Sequence, residues 1–333
     1  MSFSCPALTD CPNQEQHQTP RAPLPPLGSC SLDAGENLAG TAAQKQTWLL
    51  LENPGAWGRD ILDGSVFGPE LSADLAQLLE GLGARLLLIR KPGRRDVSTA
   101  PQCLRVFLAE TGGQDFTPAR LWAFEVGSAR DLLTLPLEQP EQVPGVRLSD
   151  QPLFLVCAHS KRDLCCAVRG RPIAAFLNQR AEGVDVWECS HTGGHRFAPV
   201  ALSLPTGYTY GRLNFVSALD AAQASAAGRV ALDGLRGRAS HAPVEQVAEL
   251  AVRQQLAVAG ESPGPDDLSP QLMEATEPGL FAAHVAHRDG RAWLATARTY
   301  ATEARPASCG AVSQPGKSWE LVSLHLLATG SQP

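Results

Sequence analysis

The chain has 333 residues, 44% hydrophobic and 19% charged, an ordinary globular balance with material for about two domains. Its net charge of −6 argues against general nucleic-acid binding, which needs a basic surface. The sequence has no apolar run of about eighteen residues, so no membrane span is expected. The polar, proline-rich start lacks the basic-then-apolar layout of a secretory signal, and the expected location is cytoplasmic. Nine cysteines in a reducing compartment point to free, redox-active or metal-bound thiols rather than disulfides.

Residues 1–40 hold little that could fold alone. Pro20, Pro23, Pro25 and Pro26 crowd one segment, which reads as a flexible leader, and Cys5, Cys11 and Cys30 are expected to be exposed or loosely packed.

An N-terminal α/β domain is expected over residues 41–148. WLLLENP from Trp48 reads as a buried strand, GAWGRD as a glycine-rich loop, and Leu71 to Leu82 as a helix. RLLLIRKP, RVFLAET and LWAFEV follow as strands, and the Pro/Gln/Val-rich piece from Pro136 to Ser149 as a linker. A second α/β domain is expected over residues 149–236. PLFLVC is a strand ending at Cys157, and AHSKRDL a polar loop, with Asp163 placed to cap the helix after it. That helix starts at Cys165 and Cys166 and could restart at Pro172. VDVWEC is a strand, SHTGGHRFAP a loop, ALSLP-TG-YTYGRL a hairpin and LNFVSALDAAQASAAG a closing helix. This order of elements resembles a thioredoxin-like fold, and the first unit could be thioredoxin-like as well. Residues 237–333 read as a small α/β appendage: a helix from Val244 to Val258, a hairpin around Asp289–Gly290, and a last strand in SWELVSLHLLA.

Between Cys157 and His195 the chain gathers two thiols, Cys157 and Cys166, and two imidazoles, His191 and His195. Thiolate and neutral imidazole are the usual protein donors for zinc and iron, but the cysteine spacing has no ordinary zinc-finger form. Cys165 adjoins Cys166, and either could be a ligand. Cys189 reads as a buried small hydrophobe, and His159 as a supporting or surface group in the loop. The span from Cys157 to Arg196 carries six Lys/Arg against four Asp/Glu, which either steers a charged partner or is a solvated face.

CAHSKRDLCC, WECSHTGGHRFAP and YGRL, with WLLLENPGAWGRD and LLLIRKPGR upstream, strongly resemble the sucrase/ferredoxin-like family. The resemblance covers roughly residues 30 to 260 and implies a thioredoxin-like domain with a 2Fe–2S cluster. Its implied ligands are Cys157, Cys166, His191 and His195, the second histidine following the first in an H-x-x-x-H arrangement. The family's spacing favours Cys166 over Cys165. Two thiolates and two neutral imidazoles around such a core leave it uncharged, whereas four thiolates leave a dianion. The potential should therefore lie higher, as it does in Rieske centres. The implied function is one-electron transfer between a redox partner, expected to be a flavoprotein reductase, and an acceptor, as a carrier rather than a stand-alone enzyme. Zinc held by the same residues in a non-redox interaction domain is the alternative. A thiol redox enzyme is disfavoured by the lack of C-x-x-C. Glycoside hydrolysis is disfavoured because no opposed carboxylate pair stands near the motifs.

Overall fold

The computed structural model describes residues 30–31, 35–93, 103–274 and 277–327. Cys5 and Cys11, with most of the expected leader, lie outside the described residues. The apolar runs expected to be strands are strands. β1 (Thr47–Glu52), β2 (Ala84–Arg90), β3 (Leu104–Glu110) and β4 (Arg120–Val126) come with α1 (Pro69–Gly81) and a two-residue β5 (Arg147–Leu148). Next are β6 (Leu153–Cys157), α2 (Leu164–Arg180), β7 (Asp185–Cys189), β8 (Ala201–Leu204), β9 (Tyr208–Tyr210), α3 (Phe215–Ala226) and β10 (Leu235–Arg238). The chain closes with α4 (Pro243–Val258), β11 (Leu268–Met273), β12 (Leu280–His287), β13 (Ala292–Pro306) and β14 (Ser313–Leu326).

The protein is mixed α/β. One ten-stranded sheet has the order β10-β9-β8-β6-β7-β2-β1-β3-β4-β5, and a four-stranded sheet the order β11-β12-β13-β14. β1 and β2 are parallel, and β1–β3 and β3–β4 antiparallel. The same pattern recurs downstream, with β6 and β7 parallel and β6–β8 and β8–β9 antiparallel. The βαβ-then-ββ order expected of a thioredoxin-like unit thus occurs twice. The two copies join edge to edge through the antiparallel β2–β7 pair, where Ile89 faces Cys189 and Arg90 faces Glu188.

Alternation along β1 shows why this run is apolar throughout. Leu49 and Leu51 pack with Leu75 and Leu79 of α1, while Trp48 and Leu50 enter the opposite core with Cys157, Cys166 and Cys189. A strand covered on both faces has no polar positions to spare. The four-stranded sheet takes its cover from α4, whose Val244, Val247 and Leu256 share a core with Val285, Trp293 and Ala295. Among the described residues no helix is long and apolar enough to cross a membrane.

Several expectations need correction. The stretch from Pro136 to Ser149 is not a bare linker. It folds into a 3-10 turn at Pro140–Gln142 and β5, with Leu137 and Val143 buried beside Trp122 and Leu132. α2 does not restart at Pro172 but runs through it as one helix. β5, β10 and β11 were not anticipated, since each is short or interrupted by glycine or proline. Cys30, expected to be loose, is only 5% exposed.

α4 also buries charge. Arg253 Nε donates to Glu249 Oε1 at 2.9 Å and its Nη2 to the Tyr208 hydroxyl at 2.7 Å, while His241 Nδ1 lies 3.1 Å from Glu249 Oε2. Burial opposes ionisation of Glu249, but Arg253, with His241 and Arg238, outweighs it and holds the carboxyl below the usual carboxylate range. Removing one partner of such a pair strands the other, so Arg253→Met should cost about 3–5 kcal/mol in denaturant unfolding. Because the folded pKa is depressed, this contribution is complete above the unfolded carboxyl pKa and is lost as pH falls through the folded one. A neutral Glu249→Gln chain should therefore show a shallower decline of stability at acid pH.

Candidate metal centre

β6 and β7 are parallel, so both deliver their C-terminal ends to one edge of the sheet, the usual place for sites in open α/β sheets. Cys157 ends β6. Its partner across the ladder, Cys189, ends β7 two residues before His191. Asp163 caps α2 by accepting the Cys165 N–H at 3.0 Å, as its position in the sequence suggested. This places Cys165 and Cys166 in the first helical turn, where the N-terminus favours thiolate. α2 can close on β6 because of Gly170: a Cβ there would overlap the Cys157 carbonyl oxygen.

The structure places Cys157 beside Cys166 and His191, and His191 beside His195. Cys157 and Cys166 are 1% exposed and lie close enough for each thiol to perturb the other, and the His191 ring acts on Cys157 as well. The Cys166 thiol, with His191, holds Cys157 well below the ordinary thiol range, while Cys157 and burial push Cys166 above it. The rings of His191 and His195 stand 4.9 Å apart, centroid to centroid. Nδ1 of each is buried without a hydrogen-bond partner. Buried imidazole nitrogens are ordinarily paired, and two orphans side by side beside two thiols suit a metal. Burial lowers the pKa of His195, against the pull of Asp163, so the ring is held neutral and able to ligate.

The loop that presents the histidines is clamped by groups the sequence did not single out. Arg85 of β2 donates to the carbonyls of His191 at 2.7 Å and Thr192 at 3.3 Å. Arg236 of β10 donates to the Gly193 carbonyl at 3.3 Å and to Thr41 Oγ1 at 3.0 Å. Burial, with Arg196 nearby, pushes Arg236 down to about 9, which leaves it charged at neutral pH. Gly194 adopts φ +73°, and a Cβ there would strike the Arg236 guanidinium, so the turn into His195 depends on glycine twice over. His159 is a buried support: its Nδ1 accepts the His191 N–H at 3.2 Å, and its Nε2 meets the Gly58 carbonyl at 2.6 Å. The GAWGRD loop, through Gly58 and the edge-on packing of Trp57 on His159, therefore braces the site from the first half of the sheet. Arg236 and Arg238 alternate with Gly237 in sequence, a strand signature too short to separate from a turn. Nothing in the sequence around Arg85 separates it from an ordinary strand-edge charge.

Cys165 is turned away from Cys157. Its sulfur lies 3.0 Å from that of Cys309 and 3.7 Å from that of Cys30. Cys189 is fully buried in the apolar core, as expected. Arg196 is paired with Glu36, and Arg169 donates to the Ala198 carbonyl at 2.8 Å, so much of the local positive charge is structural. Beside His191 opens a cavity of about 490 Å³ whose wall includes Lys45, Arg59, Arg85 and Arg162 against Asp60 and Glu80.

This architecture defines an α/β protein with two buried thiols and two half-buried imidazoles near one another at the carboxyl edge of its sheet. The sucrase/ferredoxin-like family model matches residues 38–230, more than half of the chain, and the chain belongs to that family. No curated protein and no solved structure matches it.

Proposed function

We propose that the chain is a one-electron carrier holding a 2Fe–2S cluster through Cys157, Cys166, His191 and His195. The observation that carries this reading is the pair of buried, unpartnered histidine Nδ1 atoms beside two buried thiols. Two soft anionic donors and two neutral ones fit an iron–sulfur centre with Rieske-like ligation. When bound, such a cluster takes up and gives back single electrons.

The chain's own residues supply the rest. α2 and β6 keep the two sulfurs together and exclude water from them, since both thiols are buried. Arg85, Arg236 and His159 fix the loop backbone, so the imidazoles are positioned before any metal arrives. His195 Nε2 lies 3.8 Å from Asp163 Oδ2, which orients the ring and favours a proton on that nitrogen. The cavity beside His191, richer in cations than in carboxylates, gives an acidic face of a reductase, of the flavoprotein class, a route to the centre.

Zinc on the same four ligands is the competing reading. Anaerobic purification followed by iron, acid-labile sulfide and zinc analysis separates the two. The electron-carrier reading expects a coloured protein with two irons and two sulfides per chain, bleached by one-electron reduction with the appearance of an EPR signal. A colourless protein whose only metal is lost on replacing His191 and His195 by alanine would overturn it.

A further inference from the structure

We infer that Cys30, Cys165, Cys309 and Asp163 form a second metal centre, a three-thiolate, one-carboxylate site for a single zinc-class divalent ion. The four groups come from three remote segments: the turn before β1, the first turn of α2, and the connection between β13 and β14. Their ligand atoms all lie within 4.8 Å of one another.

The spacings are those of a tetrahedral shell. Zinc–sulfur bonds of about 2.3 Å place sulfurs about 3.8 Å apart, and a zinc–oxygen bond of about 2.0 Å puts sulfur and oxygen about 3.5 Å apart. Cys30 Sγ stands 3.7 Å from the sulfurs of both Cys165 and Cys309, and 3.7 Å from Asp163 Oδ1. Cys309 Sγ is 3.2 Å from Asp163 Oδ1. The Cys165–Cys309 edge, at 3.0 Å, is the one that must open, and it is far longer than the roughly 2.05 Å of a disulfide.

The surroundings are built for a ligand set. Cys165 is fully buried and Asp163 is 2% exposed. The carboxylate is oriented by two backbone N–H groups, those of Cys165 and Cys309, each at 3.0 Å. Thiols are weak hydrogen-bonding groups, and three of them converging on a buried carboxylate gain little unless a soft cation replaces their protons. Binding exchanges three thiol protons for the ion and leaves the site at a net charge of −2. The N-terminus of α2, directly beneath, favours that negative charge.

This centre is separate from the first. The sulfurs of Cys165 and Cys166 diverge because consecutive helical residues point about 100° apart. The two sites approach each other at Asp163, whose Oδ2 lies 3.8 Å from His195 Nε2. Cys30 and Cys309 both lie outside residues 38–230, so the second site draws half its ligands from beyond the family match. Its role would be to staple the N-terminal segment and the β13–β14 turn over the edge that carries His195.

The test uses the full chain, purified anaerobically under reducing conditions, with zinc and cobalt(II) as probes. About one zinc per chain is expected, with cobalt giving tetrahedral ligand-field bands and intense thiolate charge transfer. Cys30→Ser and Cys309→Ser should each weaken zinc binding at least about tenfold while leaving iron and sulfide unchanged. A His191→Ala/His195→Ala chain should lose iron and keep this zinc. In the wild-type chain, zinc should slow alkylation of Cys30, Cys165 and Cys309 about tenfold, a readout that does not depend on the variants folding. Absence of zinc and of cobalt bands, zinc retained in both serine variants, iron lost with either, or a Cys165–Cys309 disulfide persisting under reduction would each overturn the proposal.

Discussion

With the ligation proposed above, replacing His191 and His195 together by cysteine should leave a 2Fe–2S cluster in place and lower its reduction potential by roughly 250 mV or more, the gap between Rieske-type and plant-type centres. The reason is charge. Two neutral imidazoles become two thiolates, and an electron must then enter a centre two units more negative. The loop can hold the substituted side chains, because its backbone is fixed by Arg85 and Arg236 rather than by the imidazoles. Protein-film voltammetry of both chains at one pH measures the difference. An equal or higher potential in the double variant would remove the histidines from the ligand set.

Cys165→Ser and Cys166→Ser should behave as opposites although the two residues are adjacent. Cys166 lies against Cys157 in the proposed cluster site, so its loss should abolish the visible absorption and most of the bound iron. Cys165 points at Cys30 and Cys309, so its loss should spare the chromophore and release zinc instead. Metal analysis and visible spectra of the two variants, grown and purified alike, decide it. Similar losses in both would mean that neighbouring thiols exchange roles and that the two centres are not distinct. The reverse pattern would move the cluster ligand by one position.

The strands of the two β-α-β-β-β units were legible because each is an apolar run bounded by turn residues. LLLIR, VFLAE and LFLVC leave no helical period to compete. The proposed donor set stood out for a different reason: C-x8-C followed by H-x-x-x-H is local, within forty residues. Gly194 was readable in kind, since a Gly-Gly pair between two histidines announces a tight turn. Composition misled where it was the only signal. Proline and glutamine made residues 136–149 look like a linker, yet Leu137 and Val143 anchor the segment in the core.

What the sequence by itself determined is the local chemistry: which runs become strands, where α2 starts under Asp163, and which thiols and imidazoles neighbour one another along the chain. Hydrophobic period, capping and ligand spacing act over a few residues, and a single sequence displays them. Only the tertiary structure decided what crosses long separations. It paired β2 with β7 so that Arg85 could hold the histidine loop, 106 residues away. It turned Cys165 away from Cys166 and brought to it Cys30 and Cys309, 135 and 144 residues distant. Such meetings depend on which edges and faces remain to be covered once the local elements exist, and no periodicity along the chain records that.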